Sequence, residues 1–202
     1  MSEYKLKVSL ETESRKIDGV PHCSLRFEYE TRKSFLEISF HRTIRVPDDE
    51  TSYVLPPDHG PFPIYSVRKF QDTLPASMVA TGGCLLLMYQ REAMWMYFKA
   101  SQPFAVKVYA GGINAVLGEP RKQDMGTVLR QTTRLSQEKS IQDYVVAGPQ
   151  SWLDGVATHD GSFDVVPLKN YHNLRLKIKV MDHGGGHTYY YALKPCVIHE
   201  TH

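Results

Sequence analysis

The residues whose types and spacing could do chemistry lie mostly in the last third of the chain. His183 and His187 flank a glycine triplet, and His199 and His202 follow at i and i+3. Imidazoles make a zinc site when three or four ligands converge with partners that orient them. The HxxxH spacing serves zinc on a helix, where i and i+4 share a face, and three glycines oppose a helix here. His183 and His187 are therefore read first as the tip of a β-hairpin and only second as metal ligands. Asp48, Asp49, Glu50 and Asp58 offer oxygen ligands without the spacing of a calcium loop, and read as a solvated acidic loop. No GxSxG elbow, P-loop or strand-to-helix GxGxxG is present, so no catalytic residue and no cofactor is assigned.

A second chemistry is recognition by aromatic rings with polar neighbours. Trp152, Tyr171 and Tyr189 are candidate ligand-binding rings, with Asp154 and Asp160 as hydrogen-bonding partners beside them. Trp152-Leu-Asp-Gly155 and His159-Asp-Gly161 each contain a DG pair, which places these side chains on turns. The competing reading makes Trp152 a core residue, because aromatics dominate core packing.

The elements that would position these residues are strands. Leu6, Val8 and Leu10 alternate with Lys5, Lys7 and Ser9, the period of a strand with one wet face. Leu25, Phe27 and Tyr29 repeat the pattern, and residues 35–46 bury Leu36, Ile38, Phe40, Ile44 and Val46, with Arg42 breaking the register. Residues 85–98 are apolar on both alternating faces, so they read as one central strand covered on both sides, with Arg91 and Glu92 pairing to neighbouring strands. Gly111-Gly112 lies between the β-like runs 104–109 and 113–117 and predicts a two-residue hairpin turn. Residues 47–63 carry five prolines and four acids and read as an irregular loop. A short helical turn is expected over 66–74, ended by Pro75. Residues 121–139 are polar and basic with little periodicity, and read as a surface excursion. Further strands are expected at 142–146, 174–180 and 188–193.

Composition narrows the function classes. A chain of 202 residues with 42% apolar residues fits a single β-rich domain over 1–202. A formal net charge of +2 and basic runs without interleaved aromatics argue against nucleic acid as partner. The three cysteines Cys23, Cys84 and Cys196 form no CxxC pair and read as free thiols of a reducing compartment. No secretory segment and no membrane span is seen, so a soluble cytoplasmic protein is expected. An apolar edge strand could support a homodimer.

Several strings also carry a resemblance. Arg42-Thr-Ile-Arg-Val-Pro47, Met88-Tyr-Gln-Arg-Glu-Ala-Met-Trp95, Phe104-Ala-Val-Lys-Val108, Gly112-Ile-Asn-Ala-Val116, Gly118-Glu119, Gln142-Asp-Tyr-Val-Val146 and Trp152-Leu-Asp-Gly155 resemble a family of uncharacterised fungal and bacterial proteins. The likeness spans residues 42–166 and implies no catalytic role, because that family has no established activity.

The expectation is thus an all-β fold, a single β-sandwich or distorted barrel of roughly ten strands with few or no long helices. The leading function is a non-catalytic, lectin-like binding or interaction module for a carbohydrate or a protein partner. The alternative is a metal-dependent or hydrolytic enzyme built on loop histidines and aspartates.

Overall fold

The computed structural model describes residues 6–11, 16–17, 20–21, 23–29, 33–44, 57–89, 92–157, 163–164, 176–181 and 189–198. In chain order the elements are β1 (Leu6–Glu11), β2 (Lys16–Ile17), β3 (Val20–Pro21), β4 (Ser24–Tyr29), β5 (Ser34–Ile44) and β6 (Ile64–Ser66), then a 3₁₀ turn (Val67–Phe70) and helix α1 (Ala76–Thr81). The second half holds β7 (Cys84–Tyr89), β8 (Glu92–Ala100), β9 (Phe104–Ala110), β10 (Ile113–Asn114), helix α2 (Met125–Ser136), β11 (Val145–Ala147), β12 (Trp152–Leu153), β13 (Val156–Ala157), β14 (Phe163–Asp164), β15 (Leu176–Met181) and β16 (Tyr189–Ile198).

Two sheets carry the fold. One runs β1-β4-β5-β8-β12, and the other runs β10-β9-β15-β16-β7-β6 with β11 also paired to β9. Among the described residues neither order closes on itself, and the fold is an open all-β sandwich. Its core lies between the sheets. Leu25, Phe27, Leu36, Ile38, Phe40, Met96 and Phe98 come from the first, and Cys84, Leu86, Met88, Phe104, Val106 and Val108 from the second. Of the alternating positions expected to point inward, Val8, Leu10, Leu25, Phe27, Leu36, Ile38 and Phe40 do so. Ile44 was expected inside, but it ends β5 beyond the packed region and is 55% exposed.

Residues 85–98 are not one strand. β7 pairs with β16 and β6 in the second sheet, while β8 pairs with β5 and β12 in the first. Each half must be apolar because each lines the core from its own sheet, so two strands in sequence imitate one doubly covered strand. Glu92 opens β8 and meets the Arg42 Nε at 3.4 Å, a structural ion pair across the β5–β8 ladder. Arg91 lies outside the described residues.

The glycine hairpin is as expected. Ala110 pairs with Ile113, and Gly111 and Gly112 take φ of +60° and +94°, the left-handed pair that a two-residue turn of matching twist requires. β15 and β16 form the expected antiparallel pair, and β16 also runs parallel to β7. Pro195 lies in β16 opposite Leu86 of the parallel neighbour β7.

Two helices depart from expectation. Residues 125–136 form a 12-residue helix, where the sequence reads as an irregular excursion. Asp124 caps it, accepting from the Thr127 amide at 2.7 Å and the Thr127 hydroxyl at 2.9 Å. These hydrogen bonds hold the Asp124 carboxyl below its usual pKa. α1 was also not foreseen: Pro75, expected to end a turn, sits at its N-cap.

Cys23 and Cys84 are both free and buried, as expected for a thiol-bearing core. Burial pushes the Cys84 thiol up to about 11. At pH near 8 the reactive thiolate is then scarce, so alkylation of Cys84 by iodoacetamide in the folded chain should run at least about tenfold slower than that of free cysteine. Peptide mapping of timed labelling checks this, and labelling as fast as that of a model thiol would show that the site is open.

Candidate functional site

The outer face of the first sheet brings together side chains that are far apart in sequence. In β5 the even positions 36, 38 and 40 enter the core, so Glu37, Ser39, His41 and Thr43 point to the other side. Antiparallel register then places Trp95 across from His41, Tyr97 across from Ser39, and Trp152 across from Tyr97. Directly opposed residues share a face, so His41, Trp95, Tyr97 and Trp152 form one aromatic surface. The His41 and Trp95 rings lie 4.4 Å apart, His41 and Tyr97 6.0 Å, and Trp95 and Tyr97 6.3 Å in an edge-to-face arrangement. Trp152, on the last strand of the sheet, is 55% exposed.

The imidazole is held from both sides. Its Nδ1 lies 3.0 Å from the Asp58 carboxylate, and its Nε2 lies 2.9 Å from the Ser39 hydroxyl. The simplest assignment has Nδ1–H donating to Asp58 and Nε2 accepting from Ser39. Asp58 also accepts from the Gly60 amide at 2.9 Å. Residues 57–62 run beside β5 where β4 has ended: Arg42 N donates to Gly60 O, His59 N to Arg42 O, and Phe62 N to Phe40 O. These bonds fix residues 57–62 beside β5 and place Asp58 against His41. Asp58 thus serves a histidine, where in the sequence it reads as part of a solvated acidic loop.

Serine, histidine and carboxylate in this order resemble a hydrolytic triad, but the surroundings do not complete one. Ser39 is only 2% exposed and sits in mid-strand, paired to Tyr97. Backbone amides committed to a ladder cannot also stabilise an oxyanion. The arrangement orients the His41 ring instead of arming a nucleophile.

Of the residues expected at a site, Trp152 and Asp154 are exposed, and Trp152 lies at the end of the aromatic surface. Asp160, Tyr171, His183, His187, His199 and His202 lie outside the described residues, as do Asp48, Asp49 and Glu50. Tyr189 opens β16 and pairs with Val180, so its backbone belongs to the second sheet, away from the strand of Trp152. Among the described residues, no group of three or more His, Cys, Asp or Glu is placed to hold a metal ion. No helix among them is long and apolar enough to cross a membrane.

His41, Trp95 and Tyr97 were missed as site residues. The period-two pattern puts residues 37, 39 and 41 on the face opposite Leu36 and Ile38, but it does not show that Trp95 and Tyr97 join them. No family model matches the chain, and neither curated proteins nor solved structures offer a match.

Proposed function

We propose that this protein is a non-catalytic binding module that takes a carbohydrate on the aromatic face of its first sheet. The observation that carries this reading is the exposed Trp152 in cross-strand register with Tyr97, on the face that Trp95 and His41 share. Aromatic faces set along a rigid sheet offer flat apolar surface at low entropic cost, which suits the C–H face of a sugar ring. Hydroxyls need acceptors close by, and Asp58 and Asp154 are exposed enough to supply them. The same two carboxylates would repel a phosphate backbone, which favours a neutral polyol over a nucleic acid. A protein partner is the second occupant such a face could take, and it would be recognised by the same tryptophan.

Binding to a glycan array, followed by calorimetry on the best oligosaccharide, tests the reading. Trp152→Ala should weaken that affinity by roughly tenfold or more, since an exposed tryptophan is the residue type most often worth over 1 kcal/mol in a binding surface. Its thermal midpoint should stay close to that of the parent, because Trp152 contributes little to the core. Absence of glycan binding, or equal affinity in the variant, would remove the proposal.

A further inference from the structure

Helix α2 is amphipathic in the inverted sense. Met125, Val128, Leu129 and Leu135 recur at helical spacing on one side, and they are 84%, 49%, 68% and 56% exposed. The opposite side carries Thr127, Arg130 and Arg134, and Thr127 is the helix's one buried residue. A surface helix of a globular protein ordinarily turns its apolar stripe to the core. Here the polar side is fastened to the body. Arg130 donates to both carboxylate oxygens of Glu119, with Nε to Oε1 at 2.9 Å and Nη2 to Oε2 at 2.7 Å, and Glu119 is 5% exposed. Glu119 is itself held by the glycine hairpin, since Asn114 N donates to the Glu119 carbonyl and Arg121 N to that of Gly112.

The helix also keeps its shape without using the apolar stripe. Asp124 caps the start. At the end, Lys139 N donates to Arg134 O and Glu138 N to Leu135 O, a Schellman closure with Glu138 at φ +57°. Four large apolar side chains are thus displayed to solvent on a rigid ridge that the fold does not need, and an exposed apolar patch of this kind marks a contact surface.

Charge decides what the ridge contacts. Residues 121–139 hold Arg121, Lys122, Arg130, Arg134 and Lys139 against Asp124 and Glu138, five cations to two anions. Lys122, Arg134 and Lys139 have no carboxylate within ion-pair distance among the described residues, and Lys122 and Lys139 stand exposed beyond the two ends of the helix. A second copy of the chain would bring these cations against one another, which disfavours self-association through this face. A groove that engulfs a helix needs it free all round, and here the Arg130 side is occupied. A planar, negatively charged surface needs only the exposed half. We propose that α2 is an interfacial helix that seats this protein on an anionic lipid surface, with Met125, Val128, Leu129 and Leu135 entering the headgroup layer and Lys122 and Lys139 meeting lipid phosphates.

Vesicle flotation of the full chain tests this, with phosphatidylcholine vesicles that contain or lack phosphatidylserine. The chain should float with the anionic vesicles, release at high salt, and stay unbound with phosphatidylcholine alone. Leu129→Glu should cut the bound fraction by roughly tenfold or more, because it removes an inserted leucine and adds a like charge to the lipid. Thermal unfolding of the variant should match the parent, since that leucine is exposed. Lys122→Glu together with Lys139→Glu should abolish the preference for phosphatidylserine. Failure to float with anionic vesicles would overturn the proposal, as would flotation unchanged in Leu129→Glu. Binding to calcium-loaded calmodulin, an acidic protein with apolar grooves, in place of vesicles would reassign the face to a protein partner. A dimer that Leu129→Glu converts to monomer would reassign it to a second copy.

Discussion

Phe40→Ala should lower the unfolding free energy by about 3–5 kcal/mol, the range for removing a fully buried aromatic ring from a packed core. Phe40 has no exposed surface and lies in the middle of β5, across from Met96 of β8. Its ring belongs to the cluster that joins the two sheets, where Leu86, Met88 and Phe104 come from the other layer. Its backbone carbonyl also accepts from Phe62 N, which anchors the segment carrying Asp58. The cavity left by the ring therefore opens at the junction of both sheets and the strapped loop, where little can collapse to fill it. Urea denaturation gives the readout: the midpoint should fall while the slope stays the same. Ile44→Ala on the same strand is the control. Ile44 is 55% exposed, so its loss should fall within about 0.5 kcal/mol of zero, as for surface substitutions generally. Equal costs for the two variants would mean that the sheets do not pack through the even positions of β5.

That contrast also shows how far the fold could be read in advance. Alternation identified the inward positions Val8, Leu10, Leu25, Phe27, Leu36, Ile38 and Phe40, because a half-wet strand writes its period into the sequence. It failed at Ile44, since periodicity says which side a residue faces and not where the packed region ends. The sheet change between β7 and β8 was hidden for a different reason. Residues in both strands line a shared core, so polarity does not change where the chain crosses from one layer to the other. α2 escaped because its four apolar residues are diluted by Gly126, Gln131, Thr132, Thr133 and Ser136, and because a stripe aimed at solvent contributes nothing to the core. The Asp124-x-x-Thr127 cap was the local signal for it. At the site, the tendency of aromatics to fill cores favoured a buried Trp152, and its 55% exposure on the last strand of the sheet corrects that reading. His41, Trp95 and Tyr97 were not legible as a site, because their convergence depends on the β5–β8 register, and register is a long-range outcome that no short window contains.

Arg26→Leu should cost about 2–4 kcal/mol, and adding Glu37→Leu should return most of it. Arg26 lies in β4 directly across from Glu37 in β5, and its guanidinium donates to the Glu37 carboxylate. The Glu37 side chain is 4% exposed and that of Arg26 19%, so little water reaches the pair. Partial burial would by itself lower the Arg26 pKa, but its hydrogen bonds to the Glu28 and Glu37 carboxylates outweigh it, and the guanidinium stays charged. The cation also lies 4.2 Å above the Phe35 ring. Removing Arg26 alone strips its guanidinium from a carboxylate that water cannot solvate, and one-sided loss in a buried pair is the costly case. Other contacts of Glu37 soften the loss, and Lys99 opposite it on β8 is a nearby cation, which holds the cost below that of an isolated buried charge. Glu28, with 41% of its side chain exposed, rehydrates cheaply. With both partners replaced by leucine no desolvated charge remains, and two branched side chains in cross-strand register suit the pleat, so the double variant should fall within about 1 kcal/mol of the parent. Urea denaturation of the parent, both single variants and the double variant gives the coupling energy, expected to exceed about 1 kcal/mol. Repeating the cycle at high salt distinguishes the causes: a buried pair keeps its coupling, whereas an exposed pair loses most of it to screening. Coupling that vanishes in salt would place Arg26 and Glu37 in water, and the outer face of the first sheet would then be wet along its whole length.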